Sequence, residues 1–394
     1  MTQISYIICT RNRPDELART VLALEALHRD RPDSAELIIA DNASDLSPES
    51  LLPETALPVR VIELEENLGA AARNIAAQQA RHDWLVMLDD DSAPIDLGFV
   101  HALERAGDDT AAVMADIFLP DGSRERGGLP EVFVGCGVAV RKSAFLNAGG
   151  YDPSFVYYAE EHDLSARLIA AGWRVEMSPW FRVLHHKAST GRDLNAMLRF
   201  VTRNTGVVIE RYAPGAERAF LRKEHLRRCA FIANKENAHV GFGLGVAELR
   251  AIRPTLQRTP LTHAAHDRLT GLTHAREAIG RSMDDQPFDT ACLSHEGKHA
   301  WAVRRALQEL GVEIITSPLH ADRLVIATMS PGPMLDALAE LHAVGMGYRT
   351  IAPWAEAPRL LGVSADAFPL MPSLVNEPKP EARGEAPAPA RIRA

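Results

Sequence analysis

Cysteine is scarce in this chain. Cys9, Cys136, Cys229 and Cys292 are the only four among 394 residues, and they are scattered without metal-ligand spacing. Reduced structural thiols and a cytoplasmic setting follow. Basic charge is short as well: 43 Lys and Arg face 52 Asp and Glu, a formal net charge of -9. That balance argues against a nucleic-acid partner, whose first requirement is a basic surface. No apolar run approaches the about eighteen residues that span a bilayer. The opening MTQISYIICTRNRP lacks the cationic start and longer apolar core of a signal peptide. The expectation is a soluble protein with no transmembrane segment, at most peripheral at a membrane. A P-loop is missing too, since Gly297-Lys298 has neither the upstream glycine nor the following Ser or Thr.

What the chain has is an ordinary globular composition, 46% hydrophobic and 24% charged, and length for two or three domains. Its first part alternates strand, polar loop and helix. Residues 4–9 (ISYIIC) read as a strand that runs into Thr10-Arg11-Asn12-Arg13. Pro14, Asp15 and Glu16 then suit a helix start. Residues 36–40 (ELIIA) end in Asp41-Asn42-Ala43-Ser44-Asp45, and residues 59–64 lead to Asn67-Leu68-Gly69 and a helix with Arg73-Asn74. A helix over 96–106 and strands over 111–118, 133–140, 174–177 and 181–184 follow. This alternation predicts an α/β fold with a mainly parallel, doubly wound sheet whose polar loops share one edge.

The centre of that edge is residues 84–94, WLVMLDDDSAP. A short apolar strand delivers Asp89, Asp90 and Asp91 at its carboxyl end, where open α/β sheets bind ligands. Strand alternation would turn Asp89 and Asp91 to one side and Asp90 to the other. Two converging carboxylates call for a hard divalent cation that also grips phosphate. Further on, residues 157–172 read as one helix with Tyr157, Leu164, Leu168 and Ala171 on its apolar face. Glu161 lies roughly 40° and Glu160 roughly 60° from the centre of that face, with His162 and Asp163 pointing away. A carboxylate at such an edge is poorly solvated, which raises its pKa towards that of a useful base. His185 and His186 end a later strand, and a hard metal accepts one imidazole. Arg199, Arg203 and Arg211 line a helix over 195–211 whose basic side is a candidate for phosphate or for solvent.

Together these motifs resemble the family 2 inverting glycosyltransferases, which have the fold called GT-A. The resemblance covers roughly residues 3–215. It rests on Thr10-Arg11-Asn12-Arg13 (T-x-N-R), Asp41-Asn42-Ala43-Ser44-Asp45 (D-N-x-S-x-D), Asn67-Leu68-Gly69 with Arg73-Asn74, Asp89-Asp90-Asp91 (D-x-D), and Gly149-Gly150-Tyr151-Asp152 (G-G-[FY]-D), in that order. It implies that Thr10, Arg11, Arg13, Asp41, Asn67, Arg73, Asp89, Asp90, Gly149 and Gly150 attend a nucleotide-sugar. Asp91, Asp89 and His185 would hold Mg²⁺ or Mn²⁺, with His186 the fallback. Setting Asp163-Leu164 on the family's D-L places Glu161 at the catalytic base, with Glu160 the alternative. The implied activity is metal-dependent single displacement from a UDP-, dTDP- or GDP-sugar to an acceptor that is a glycan, lipid-linked sugar, small molecule or peptide. Cys9 stands where the family often has proline, and Glu161 where it more often has aspartate. The Q-x-x-R-W motif of the processive synthases is absent, which disfavours that branch.

The expected division is a GT-A domain over 1–215, a helical extension over 216–284, a small Rossmann-like α/β module over 285–372 and a disordered tail over 373–394. Acceptor docking, homodimerisation and regulation stand as the alternatives for the module. Two rival functions share the sheet: a nucleotidyltransferase, and a nucleotide-sugar-binding assembly or regulatory protein without catalysis. The first would want a glycine-rich basic loop after the first strand, which 10–14 is not. Intact acids at Asp89, Asp91 and Glu161 speak against the second.

Overall fold

The computed structural model describes residues 2–187 and 193–355; the expected tail and the end of the expected α/β module lie outside the described residues. Eight strands form the first sheet: β1 (Ile4–Thr10), β2 (Ala35–Asp41), β3 (Val59–Glu63), β4 (Trp84–Asp89), β5 (Ser92–Pro94), β6 (Thr110–Phe118), β7 (Val138–Arg141) and β8 (Arg174–His185). Their order is β3-β2-β1-β4-β7-β6-β8-β5. β1, β2, β3 and β4 pair in parallel, as do β6 and β8; β7 runs antiparallel between β4 and β6, and β5 antiparallel beside β8.

Every residue of β2 and nearly every residue of β1 is buried, as their continuous apolar sequences require of strands covered on both faces. Period-two alternation splits them between two cores. Tyr6, Ile8, Leu37, Ile39, Val86 and Leu88 pack with Leu17, Val21 and Leu24 of the helix Pro14–His28 and with Phe99 of the helix Gly98–Arg105. Ile7, Ile38, Leu85 and Met87 meet Ala72, Ala76 and Ala77 of the helix Ala72–Gln79, and Leu164 and Leu168 of the helix Glu160–Ala170.

The second sheet holds β9 (Thr290–Ser294), β10 (Glu313–Ile314), β11 (Arg323–Ile326) and β12 (Thr350–Ile351), in the order β10-β9-β11-β12, all parallel. Four helices, Arg218–Glu236, His239–Ile252, His263–Thr270 and Leu272–Asp285, lead to it. Val303, Val325 and Ile326 of this region belong to the same apolar cluster as Ile7 and Met87, so the two sheets share a continuous core. No described helix is long and apolar enough to cross a membrane.

Two local expectations give way. Residues 174–185 form one strand rather than two; a shift in register against β6 between Ala115 and Asp116 absorbs Pro179, as a proline within a sheet requires. The acidic helix begins at Glu160, not Tyr157, because Ala159 stands in the left-handed region at φ 66°.

Candidate active site

The carboxyl ends of β1, β2 and β4 bring Thr10, Asp41 and Asp89 to one edge. The two loops beyond β1 and β2 are laced together. Asn12 donates through its backbone to Ser44 Oγ (2.9 Å), and its side-chain oxygen accepts from the Asp45 amide (2.8 Å). Asp41 accepts from the Ser44 amide and hydroxyl, which fixes its carboxylate at the strand end. Arg11 is exposed on the loop beyond β1 and Asn67 on the loop beyond β3. Gly69, at φ 60°, lies so close to the Val156 carbonyl that a Cβ would meet it at 2.2 Å; only glycine fits there.

Strand alternation does not extend across the three aspartates. β4 stops at Asp89, and Asp90 and Asp91 occupy the turn before β5. Arg73, buried, donates to the Leu88 carbonyl (3.0 Å) and to Asp89 Oδ1 (2.7 Å). Arg13 forks across the other two, reaching Asp90 Oδ1 at 2.8 Å and Asp91 Oδ2 at 2.7 Å. Asp90 also accepts from the Thr10 hydroxyl (2.8 Å), and its carbonyl accepts from Thr20 (2.8 Å). Burial pushes the Asp90 carboxyl up to about 7 despite Arg13 and Thr10, which pull it down. Burial would raise Asp91 too, but the charges of His185 and Arg13 outweigh it and hold that carboxyl well below the usual range.

His185 ends β8 beside this turn. Its Nε2 lies 3.2 Å from Asp91 Oδ1 and its Nδ1 3.2 Å from Glu125 Oε2. Lys187 braces Glu125 at 2.7 Å. Burial lowers the affinity of the His185 ring for a proton, but Cys136, Asp91 and Glu125 outweigh it and raise its pKa overall. Donor atoms of Asp89, Cys136 and His185 lie within 4.8 Å of one another. Asp91 Oδ1 is buried without a well-formed hydrogen bond. Burial raises the Cys136 thiol to about 11, so it stays protonated. What remains is a carboxylate and imidazole donor set, which fits a hard divalent ion. Displacing the imidazole proton would accompany its binding.

Beyond β7 the acidic helix presents both glutamates. Glu161 Oε1 accepts from the Gly135 amide at 3.2 Å. Glu160 is buried, and its Oε2 has no hydrogen-bond partner. Burial raises both carboxyls, and mutual repulsion raises Glu160 further. Asp163 does not point away: it is fully buried, gripped by Arg167 (2.7 Å), Arg211 (2.9 Å) and the Tyr212 hydroxyl (2.8 Å). His162 is also turned inward, where Lys298 Nζ reaches its Nε2 at 3.0 Å. The entry to the helix carries positive φ at Val156, Tyr158 and Ala159. Asn204 Nδ2 stitches that segment by donating to the carbonyls of Phe155, Tyr157 and Tyr158 at 2.8–2.9 Å.

The expected basic face of the helix Leu194–Tyr212 is consumed within the protein. Arg199 pairs with Glu248, Arg203 donates to the Ser154 carbonyl, and Arg211 holds Asp152 and Asp163. Gly149 and Gly150, both at positive φ, form the turn before Tyr151, and Asn74 clasps the Tyr151 amide and carbonyl at 2.8 Å each. Sequence reasoning missed Glu125, the Gly135 amide, Asn204 and Lys298. The first two lie in a stretch that reads as loop and small-residue strand, and the others act only through distant partners.

Residues 5–158 match the profile described as Glycosyl transferase family 2. That segment belongs to family 2. Over 84 residues the chain is 43% identical to N-acetylglucosaminyl-diphospho-decaprenol L-rhamnosyltransferase of Mycobacterium tuberculosis (strain CDC 1551 / Oshkosh), covering 21% of this chain and 27% of that relative. The match therefore spans about a quarter of the relative's length. Among solved structures, S. aureus TarS 1-349 in complex with UDP-GlcNAc aligns with TM-score 0.48 and 13% identity, over 79% of this chain and 93% of that one. The mannosyltransferase of Pyrobaculum calidifontis in complex with GDP-Man and Mn²⁺ aligns with TM-score 0.45 and 16% identity, over 78% and 87%. The family 2 domain and its mostly parallel sheet make this the GT-A fold.

Proposed function

We propose that the chain is a metal-dependent inverting glycosyltransferase that takes a sugar from a nucleoside-diphosphate sugar. One observation carries the reading. A single sheet edge gathers arginine-held aspartates, a histidine 3.2 Å from a buried Asp91 oxygen, and a glutamate whose pKa burial has raised. Asp91, Asp89 and His185 are the residues that would hold Mg²⁺ or Mn²⁺. When bound, that ion neutralises charge on the departing diphosphate. Thr10 and Asp41 at strand ends and Arg73 on the helix behind them would attend the nucleoside, and Arg13 the phosphates. Glu161 takes the proton of the acceptor nucleophile as that atom attacks carbon one of the sugar. The bond from carbon one to the diphosphate oxygen breaks, its electron pair leaves with the nucleoside diphosphate, and configuration inverts. Acceptor identity is carried by loops that family membership does not specify.

The test is a thermal-shift panel of UDP, GDP, dTDP and CDP with and without Mn²⁺. A cation-dependent rise with one of them in the wild type, lost in Asp91→Asn, is the expected result. No shift with any nucleotide would overturn the donor site itself, and a shift without sugar transfer would favour the non-catalytic nucleotide-sugar-binding reading.

A further inference from the structure

In a parallel sheet ordered β10-β9-β11-β12 the strand order reverses between β9 and β11, and the crevice beyond their carboxyl ends is where a ligand would bind. Here that crevice is filled by the other domain. Lys298, just after β9, donates from Nζ to the Gly128 carbonyl at 3.2 Å. Ser330, just after β11, directs its hydroxyl at the carbonyls of Arg126 and Gly128, both at 3.5 Å. In the helix Pro331–Ala343, Asp336 accepts from the Arg124 amide (3.1 Å) and guanidinium (3.0 Å). Gly332 lies so close to Glu125 that a Cβ would stand 2.2 Å from its carbonyl oxygen. From the helical segment, Arg268 grips the buried Glu131 and Gly271 packs on Pro130.

The segment so held, 124–135, carries two groups that face the reaction centre. Glu125 bonds His185 Nδ1 at 3.2 Å, and the Gly135 amide donates to Glu161 at 3.2 Å. A second link is direct, because the same Lys298 ammonium bonds His162, the neighbour of Glu161.

We propose that the C-terminal α/β module is a clamp on residues 124–135, and that Asp336, Lys298 and Gly332 are positioning residues for His185 and Glu161. This rests on the glycosyltransferase reading for its consequence in rate, but not for its consequence in structure. The crevice holds a loop in place of a small ligand, and Lys298, Ser330 and the Arg124 amide make main-chain contacts there that fix a path, while Asp336 adds an ion pair with the Arg124 guanidinium. Burying such backbone groups without partners would be costly, so the loop and the module stabilise each other.

Two measurements on the full chain test the clamp. Hydrogen exchange of residues 124–135 needs no substrate. Asp336→Asn and Gly332→Ala should each speed exchange there at least tenfold, with little change in β1, β2 and β4, and Asp336→Glu should restore part of the protection. Once a donor is found, the same variants should lower kcat about tenfold and raise the donor KM by less than that, because His185 would meet the diphosphate only through its ion while Thr10 and Asp41 lie away from the clamp, and Asp336→Glu should recover part of the rate. Unchanged exchange in both variants overturns the clamp whatever the activity. Faster exchange with unchanged kcat overturns the positioning role. If instead wild-type protein transfers no sugar, the glycosyltransferase reading fails and the exchange result still decides the clamp by itself.

Discussion

The chain builds a parallel α/β edge twice and equips the two edges in opposite ways. On the first, β2 ends in Asp41 and β4 in Asp89, followed by Asp90 and Asp91 in the turn, and three of these four are tied to Arg13 or Arg73 at 2.7–2.8 Å. On the second, β9 and β11 end in contacts to main-chain groups of the loop 124–131. Open sheets leave a crevice at this edge in either case. Charges held by arginine leave it available to a phosphorylated ligand, whereas a docked polypeptide closes it. The same kind of strand edge thus carries the candidate site in one sheet and meets a loop in the other.

Breaking the comparison starts at the first edge and its neighbouring acidic helix. Glu161→Gln should lower the transfer rate about 10²–10⁴-fold, as loss of a general base does, with donor binding retained in a thermal-shift titration. A rate within a factor of a few of wild type would remove Glu161 from that role and turn attention to Glu160.

Next in size is Asp163→Ala. It strips a fully buried carboxylate from Arg167, Arg211 and Tyr212, at a cost of about 3 kcal/mol in denaturant unfolding. An effect below about 1 kcal/mol would show that the network is dispensable and the acidic helix held by apolar packing alone.

Glu160→Gln should act in the opposite direction. Burial and the neighbouring Glu161 raise the Glu160 carboxyl, so the folded state keeps its proton to higher pH than the unfolded chain. Stability from this group is present below the unfolded value near 4.3 and is lost as pH rises through the raised folded value. The variant should therefore be more stable than wild type by about 1 kcal/mol at pH 8, with the gap closing by pH 4. A gap independent of pH would assign the gain to packing.

The smallest effect belongs to the second module. Glu309→Gln removes exposed pairs with Arg276 and Arg305 and should cost less than about 1 kcal/mol, reduced further by salt. A loss as large as that of Asp163→Ala would erase the contrast between the two regions.

Much of the first domain was legible before its structure. Continuous apolar runs at 4–9, 36–40 and 84–88 announced buried parallel strands, and the polar loops after them fell on one edge as alternation requires. The acidic helix was legible in kind but not in phase. Its start at Glu160 depends on positive φ at Tyr158 and Ala159, residues with no intrinsic preference for that region, held by the Asn204 side chain 46 residues beyond Tyr158 in sequence. The arginines at 199, 203 and 211 were legible as a basic stripe, yet their partners Glu248, Ser154 and Asp163 come from other elements and could not be assigned by spacing.

The amino-acid sequence by itself determined the order of strands and loops, the acids at the edge of β4, and the pair Glu160-Glu161, because periodicity and strand ends are local. Tertiary structure decided which charge meets which: Arg13 across Asp90 and Asp91, Glu125 behind His185, Gly135 on Glu161, and the C-terminal module on the loop between them. Those pairings join residues tens to hundreds of positions apart. They exist because burying each polar group leaves it no partner but the one the fold brings.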